Sequence, residues 1–379
     1  MAFDPEAPLP GAPDPWAGST MPPLRDGAPY AMTEMIAAEP ALAERLARRL
    51  ATDPAVEMLV AWVRDAMAAR APVTILGCGT SEHAAEGIAA MWREVADIDA
   101  RHAQALETLA GPQRDGLVVA ISHEGGTRAT NDALQAAREA GARTALISVS
   151  DRSPGAAIAE LTVQTGEQDT SWCHTVGYLS PLVAGAAVAG HLAGAQLEAT
   201  AVRALLQVGD SPDADAVAAR LAACDRLLVS GSGPDHATAR ELALKVAEGA
   251  HLPAHALHLE TILHGHLAAT DRRTGFVLVL TSASLGVVER ARRVLAAIAS
   301  LGMPAAALIG ADLGDDVPRE LTPAGRLAVP ETSRLPRVPA SLLGAAVPLQ
   351  LLAERLARAR GTNPDTIGRE DPAQAAAHH

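Results

Sequence analysis

Short, uninterrupted apolar runs alternate with helical stretches along most of the chain, and that alternation limits what it can fold into. VTILG (73–77), LVVAIS (117–122) and RTALISVS (143–150) are each followed by a helix-like segment, and TVQTG closes this first series. DRLLVSGSG (225–233), GFVLVLTSAS (275–284), PAAALIG and RLAVP form a second series with helices between them. A strand without polar alternation must be buried on both faces, which a parallel sheet between two helical layers provides. Two such series, separated near 205–215, predict an α/β chain of two similar domains, each a three-layer αβα unit. The 379 residues are too many for one ordinary core and suit two domains of roughly 150 residues. The expected boundaries are a Pro-rich disordered or surface-wrapping arm (1–29), a first domain (30–208), a second domain (209–360) and a polar tail (361–379).

Composition removes several function classes. The net charge is −13, from 31 basic and 44 acidic residues, which disfavours a nucleic-acid or anionic-membrane surface. Aromatics are 2% of the chain, so base-stacking platforms are not expected. No apolar stretch reaches the ~18 uninterrupted residues of a membrane span; the most apolar piece, Leu179 to Leu192, reads as a buried helix. Cys78, Cys173 and Cys224 contain no C-x-x-C pair and read as reduced thiols of a cytoplasmic protein. Among the 31 basic residues only Lys245 is a lysine. It reads either as a chance survivor on a solvated helix or as a position needing a compact, titratable amine.

In open parallel sheets, ligands bind beyond the carboxyl ends of the strands. The loops at 77–81, 122–127, 231–235 and 281–285 are all expected there. Gly77-Cys78-Gly79-Thr80-Ser81 sets hydroxyls beside a helix start, which favours an anion, although a plain capped turn has the same letters. Ser122-His123-Glu124-Gly125-Gly126-Thr127 has the same placement and could cradle an oxyanion.

GCGTS, ISHEGGT and LALKVAEGAHLPAHALHLETILHGHLA, taken in that order, resemble the sugar isomerase (SIS) domain family, and in particular its amino-sugar-phosphate isomerases, deaminases and aminotransferase isomerase halves. The resemblance runs from about Met32 to about Asp371. It implies two SIS domains, a homodimer, a small-molecule sugar phosphate as ligand, and no cofactor or metal. The matching positions imply Gly79, Thr80, Ser81, Ser122, His123, Glu124, Thr127 and His174 as substrate-binding residues. In A-L-K-x-x-E, Glu248 is implied as the proton-transfer base, with Lys245 beside it. His264, in the H-G-H segment, is implied to open the sugar ring from the neighbouring subunit. A carboxylate alternating as base and acid suits aldose–ketose isomerisation, His suits ring opening, and an ammonium suits a developing enediolate.

The departures are informative. Glu124 stands where the family's phosphate loop has a second Ser, so it turns away, binds a hydroxyl or amine, or the substrate lacks a phosphate there. The family's C-terminal catalytic lysine has no counterpart in Gly361-Thr362-Asn363-Pro364-Asp365, which disfavours amino transfer, and no glutaminase activity is expected of this chain. The expected function is therefore an aldose–ketose isomerase or amino-sugar-phosphate deaminase. The alternatives are an isomerase of a non-phosphorylated or sulfonated sugar, and a non-catalytic sugar-phosphate-binding regulator. His251, His255, His258, His264 and His266 are dense enough to consider for a metal, but Pro253 breaks their helical spacing.

Overall fold

The computed structural model describes residues 3–20, 22–209, 211–281 and 284–377. Met1, Ala2, Met21, Asp210, Ser282, Ala283, His378 and His379, which fall in the expected arm, second domain, 281–285 loop and tail, lie outside the described residues. In the first half, α1 (Ala31–Leu50) and α2 (Pro54–Ala69) precede β1 (Val73–Gly77), α3 (Thr80–Val95), β2 (Ala100–Gln104), β3 (Leu117–Ile121) and α4 (Arg128–Ala140). They are followed by β4 (Arg143–Ser148), α5 (Pro154–Ile158), β5 (Leu161–Gln164) and α6 (Val176–Leu192). Helices α7 (Ala199–Leu206) and α8 (Pro212–Leu221) lead into β6 (Arg226–Gly231), α9 (Pro234–Ala250), β7 (Ala254–His258) and β8 (Thr274–Leu280). The chain continues through α10 (Leu285–Ser300), β9 (Ala305–Gly310), β10 (Gly325–Val329), α11 (Arg337–Arg360) and α12 (Pro372–Ala377).

The strands form two five-stranded parallel sheets, β2-β1-β3-β4-β5 and β7-β6-β8-β9-β10, with the same order in each half. Strands β3, β8 and β9 are buried throughout, as their apolar runs require. The edge strands β2 (ARHAQ) and β7 (AHALH) are not apparent in the sequence. Each is half-exposed and polar, and is held by backbone pairing to one neighbour, so neither leaves an apolar signature. Helix α6 is buried on every side, as an all-round apolar helix must be. Helix α11 is long and apolar enough to pass for a membrane span, but it is mostly buried against α9, α8 and α7.

Both termini are attached to the body. The Pro-rich strap (described residues 3–20 and 22–29) wraps the first sheet's domain: Leu9 N–H donates to Glu167 at 2.8 Å and Gln168 N–H donates to Pro10 O at 2.8 Å. The 361–377 segment is not a solvated tail. Asp365 and Thr366 are fully buried, and the Asp365 carboxylate accepts from the Ala31 and Met32 amides at 2.7 and 2.9 Å, capping α1 from the far end of the chain.

Glu39, inside α1, is fully buried with one oxygen accepting from Gln350 and the other unpartnered. Burial pushes its pKa well above the ordinary carboxylate value. A raised folded-state value favours folding at acid pH, and that benefit is lost as pH rises past the unfolded value. Glu39→Gln is therefore expected to raise the melting temperature relative to wild type at pH 8, with a smaller gap at pH 5. Thermal scans at the two pH values check this; an equal gap at both overturns it.

Candidate functional site

Two matched turns carry β1 into α3 and β6 into α9. Gly79 has φ 56° and ψ −128°, and Gly233 has φ 60° and ψ −132°, a region only glycine occupies without strain. A Cβ on Gly77 would lie 2.6 Å from the Ser81 carbonyl carbon, and one on Gly231 would lie 2.5 Å from Asp235 O. The two turns differ in what fills them. In the second, the buried Asp235 carboxylate accepts from the Thr281 amide and hydroxyl, so the turn supplies its own anion. The first turn opens onto a cleft of about 540 Å³.

This cleft gathers Gly79, Thr80, Ser81, His123, Glu124, Thr127, His174 and Glu248, eight of the eleven residues picked from the sequence. Ser122 sits just behind it, with its hydroxyl donating to Thr127 at 3.4 Å, which leaves Thr127's own proton for a ligand. Lys245 lies beneath the cleft floor. His264 lies outside it, with its side chain 69% exposed and paired to Glu260.

The floor is a buried charge cluster on one face of α9. Glu241, Lys245 and Glu248 are spaced i, i+4 and i+7. Lys245 Nζ is 2.5 Å from Glu248 and 3.6 Å from Glu241. Glu241 also accepts from Thr80 at 3.2 Å and meets His83 Nδ1 at 2.8 Å. Burial alone would lower the Lys245 pKa, but Glu248 and Glu241 outweigh it and raise it above the ordinary lysine value. Lys245 is thus a fixed, sealed ammonium, and the titratable-amine reading is corrected: two carboxylates surround it and water does not reach it. Glu248 extends from this cluster into the cleft, with its side chain 24% exposed against 0% for Lys245.

On the opposite wall, the Asp169 amide donates to His123 Nε2 at 2.9 Å, which places the neutral imidazole's proton on Nδ1. Burial, with His174 nearby, pushes His123 down to about 4. Burial also works against protonation of His174, but Asp169, 3.8 Å away, holds it above its ordinary value.

The arm forms a third wall, which the sequence does not reveal. Trp16 Nε1 donates to Glu124 O at 3.0 Å, and its ring lies over Gly126, where a Cβ would approach it to 2.8 Å. The Ser19 amide donates to the Glu124 carboxylate at 3.0 Å. Glu124, the departure from the resembled loop, is thus the arm's anchor. Trp172 and Arg369 complete the lining and were also missed, since nothing local in the sequence links them to the loops. The histidines of 251–266 spread apart: His258 stacks on His236 at 3.6 Å, and His264 pairs with Glu260.

Residues 68–189 match the family model described as SIS domain, and the second sheet repeats the strand order of the first. The fold is shared with the C-terminal domain of glucosamine-fructose-6-phosphate aminotransferase from Francisella tularensis (TM-score 0.77, 19% identity, 91% of this chain and 100% of that one). It is shared with tagatose-6-phosphate ketose/aldose isomerase from Escherichia coli (0.73, 17%, 91% and 97%). It is also shared with glucosamine-6-phosphate deaminase from Thermotoga maritima (0.61, 20%, 84% and 96%). Among curated proteins no match is found.

Glu124→Ser is expected to loosen the arm. Hydrogen exchange at the Ser19 amide should rise roughly tenfold, the scale of one hydrogen bond to a charged acceptor. Unchanged exchange there would show that the arm is held elsewhere.

Proposed function

We propose that the protein is a sugar-phosphate isomerase, interconverting an aldose and a ketose or isomerising and deaminating an amino sugar 6-phosphate, without glutaminase activity. The observation that carries this reading is Glu248. Its carboxylate enters the cleft, is clamped from below by a buried ammonium, and shares that cleft with the hydroxyl-bearing loops at two strand ends. The activities for which the fold relatives are named, a ketose/aldose isomerase and a deaminase of sugar 6-phosphates, support the same class.

In the isomerisation, Glu248 takes the proton from the carbon beside the carbonyl, and the released electron pair forms an enediolate. The same carboxyl returns the proton to the neighbouring carbon while the hydroxyl proton passes from one enediolate oxygen to the other, so the product is an isomer with no atom gained or lost. Thr127, Ser81 and the turn amides would hold the terminal oxyanion, and Trp16 would exclude water from that end. A regulator that only senses a sugar would need no such base. Glu248→Gln is expected to lower kcat by roughly a hundredfold or more against a panel of hexose and aminohexose 6-phosphates, while leaving ligand binding within a few-fold. Turnover near wild type in this variant would overturn the assignment.

Within one chain His264 does not line the cleft, so a role for it there requires a second copy of the chain. In a homodimer with this arrangement, mixed Glu248→Gln and His264→Ala proteins should recover partial activity through hybrid dimers. No recovery, with subunit exchange demonstrated, would remove His264 from the site. Three free cysteines among the described residues and a net charge of −13 suit a cytoplasmic setting.

A further inference from the structure

We infer that Arg369 is the residue that stabilises the anionic oxygen formed at the reacting end of the substrate, in the role the sequence offers to Lys245. The inference rests on the isomerase reading of the cleft. Proton abstraction by Glu248 leaves a negative oxygen, and a preorganised positive charge beside it lowers the barrier. Lys245 is sealed under the floor, with its ammonium given over to Glu241 and Glu248. Among the described residues lining the cleft, Arg369 is the one arginine or lysine.

Three observations bear on Arg369. It forms no ion pair among the described residues, and its Nε is buried with no acceptor. Its guanidinium carbon lies 4.2 Å from the centre of the Trp172 ring. Stacking uses the face of the guanidinium and leaves its in-plane N–H donors for a planar anion. Arg369 and Glu248 line the same cleft. Cys173, next to Trp172, has its sulfur 3.8 Å from the Glu248 carboxylate, so one short segment supports both the arginine and the base. The backbone is set for this placement: Ile367 adopts φ 45°, an outlier for a β-branched residue, between the buried Asp365–Thr366 pair and Arg369. A guanidinium with unused donors in the same cleft as a carboxylate base fits an enediolate, and equally a carboxylate at C1.

Two probes separate this role from others: 6-phosphogluconate, with a carboxylate at C1, and glucitol 6-phosphate, the same chain without it. Calorimetric titration of Arg369→Gln should show 6-phosphogluconate weakened roughly tenfold to a hundredfold, with glucitol 6-phosphate within about threefold of wild type. Arg369→Lys should fall between, and the turnover loss in both variants should lie in kcat more than in KM. Circular dichroism and melting temperature confirm folding, and Arg369→Lys carries the test if the Gln variant is unfolded. Equal weakening of both probes would make Arg369 a phosphate or shape residue and overturn the inference; no change in either would do the same. If wild type binds neither probe, the isomerase reading itself fails and the inference fails with it.

Discussion

A lysine without access to water organises the centre of this molecule. Lys245 is fully buried, and an isolated ammonium there would be prohibitively costly to desolvate. Glu241 and Glu248 neutralise it, and removing one partner of such a pair typically costs about 3–5 kcal/mol. The consequences extend outward. Glu241 also takes the Thr80 hydroxyl and His83 of α3, so the same cluster registers the second domain's α9 against the first domain's α3 and its loop. Glu248 then has a fixed direction, and that direction is into the cleft.

The two halves share a strand order and a glycine turn, yet among the described residues the first turn opens onto the cleft while the second is filled by its own carboxylate. Asp235 makes the difference by occupying its own turn, where Ser81 leaves the first one open. The termini add what the duplicated core does not. The strap places Trp16 over Gly126, and the C-terminal segment, tied down by Asp365 at the start of α1, delivers Arg369. The cleft is therefore built from both domains and both ends of the chain.

Most of the fold was legible from sequence because its central strands bury both faces and leave continuous apolar runs, as TGFVLVL does in β8. The edge strands β2 and β7 were not, since a half-exposed strand paired on one side needs no such run. The loop residues of the site were legible through their place after strands, and Glu248 through the A-L-K-x-x-E pattern. Glu241 was missed although its spacing of four and seven residues from Lys245 and Glu248 puts all three on one helical face. Trp16 and Arg369 had no local signal: each reaches the cleft through chain packing across more than a hundred residues.

By itself, the sequence determined the two parallel sheets, the strand-end loops and the chemical types available to the site. Periodicity and turn chemistry are local properties, set by neighbours within a few residues. Only the tertiary structure decided which of the matched turns is open, that the lone lysine is sealed, and that Glu124 holds the arm. Those outcomes depend on which charges are desolvated together, and desolvation is a property of distant segments meeting in space.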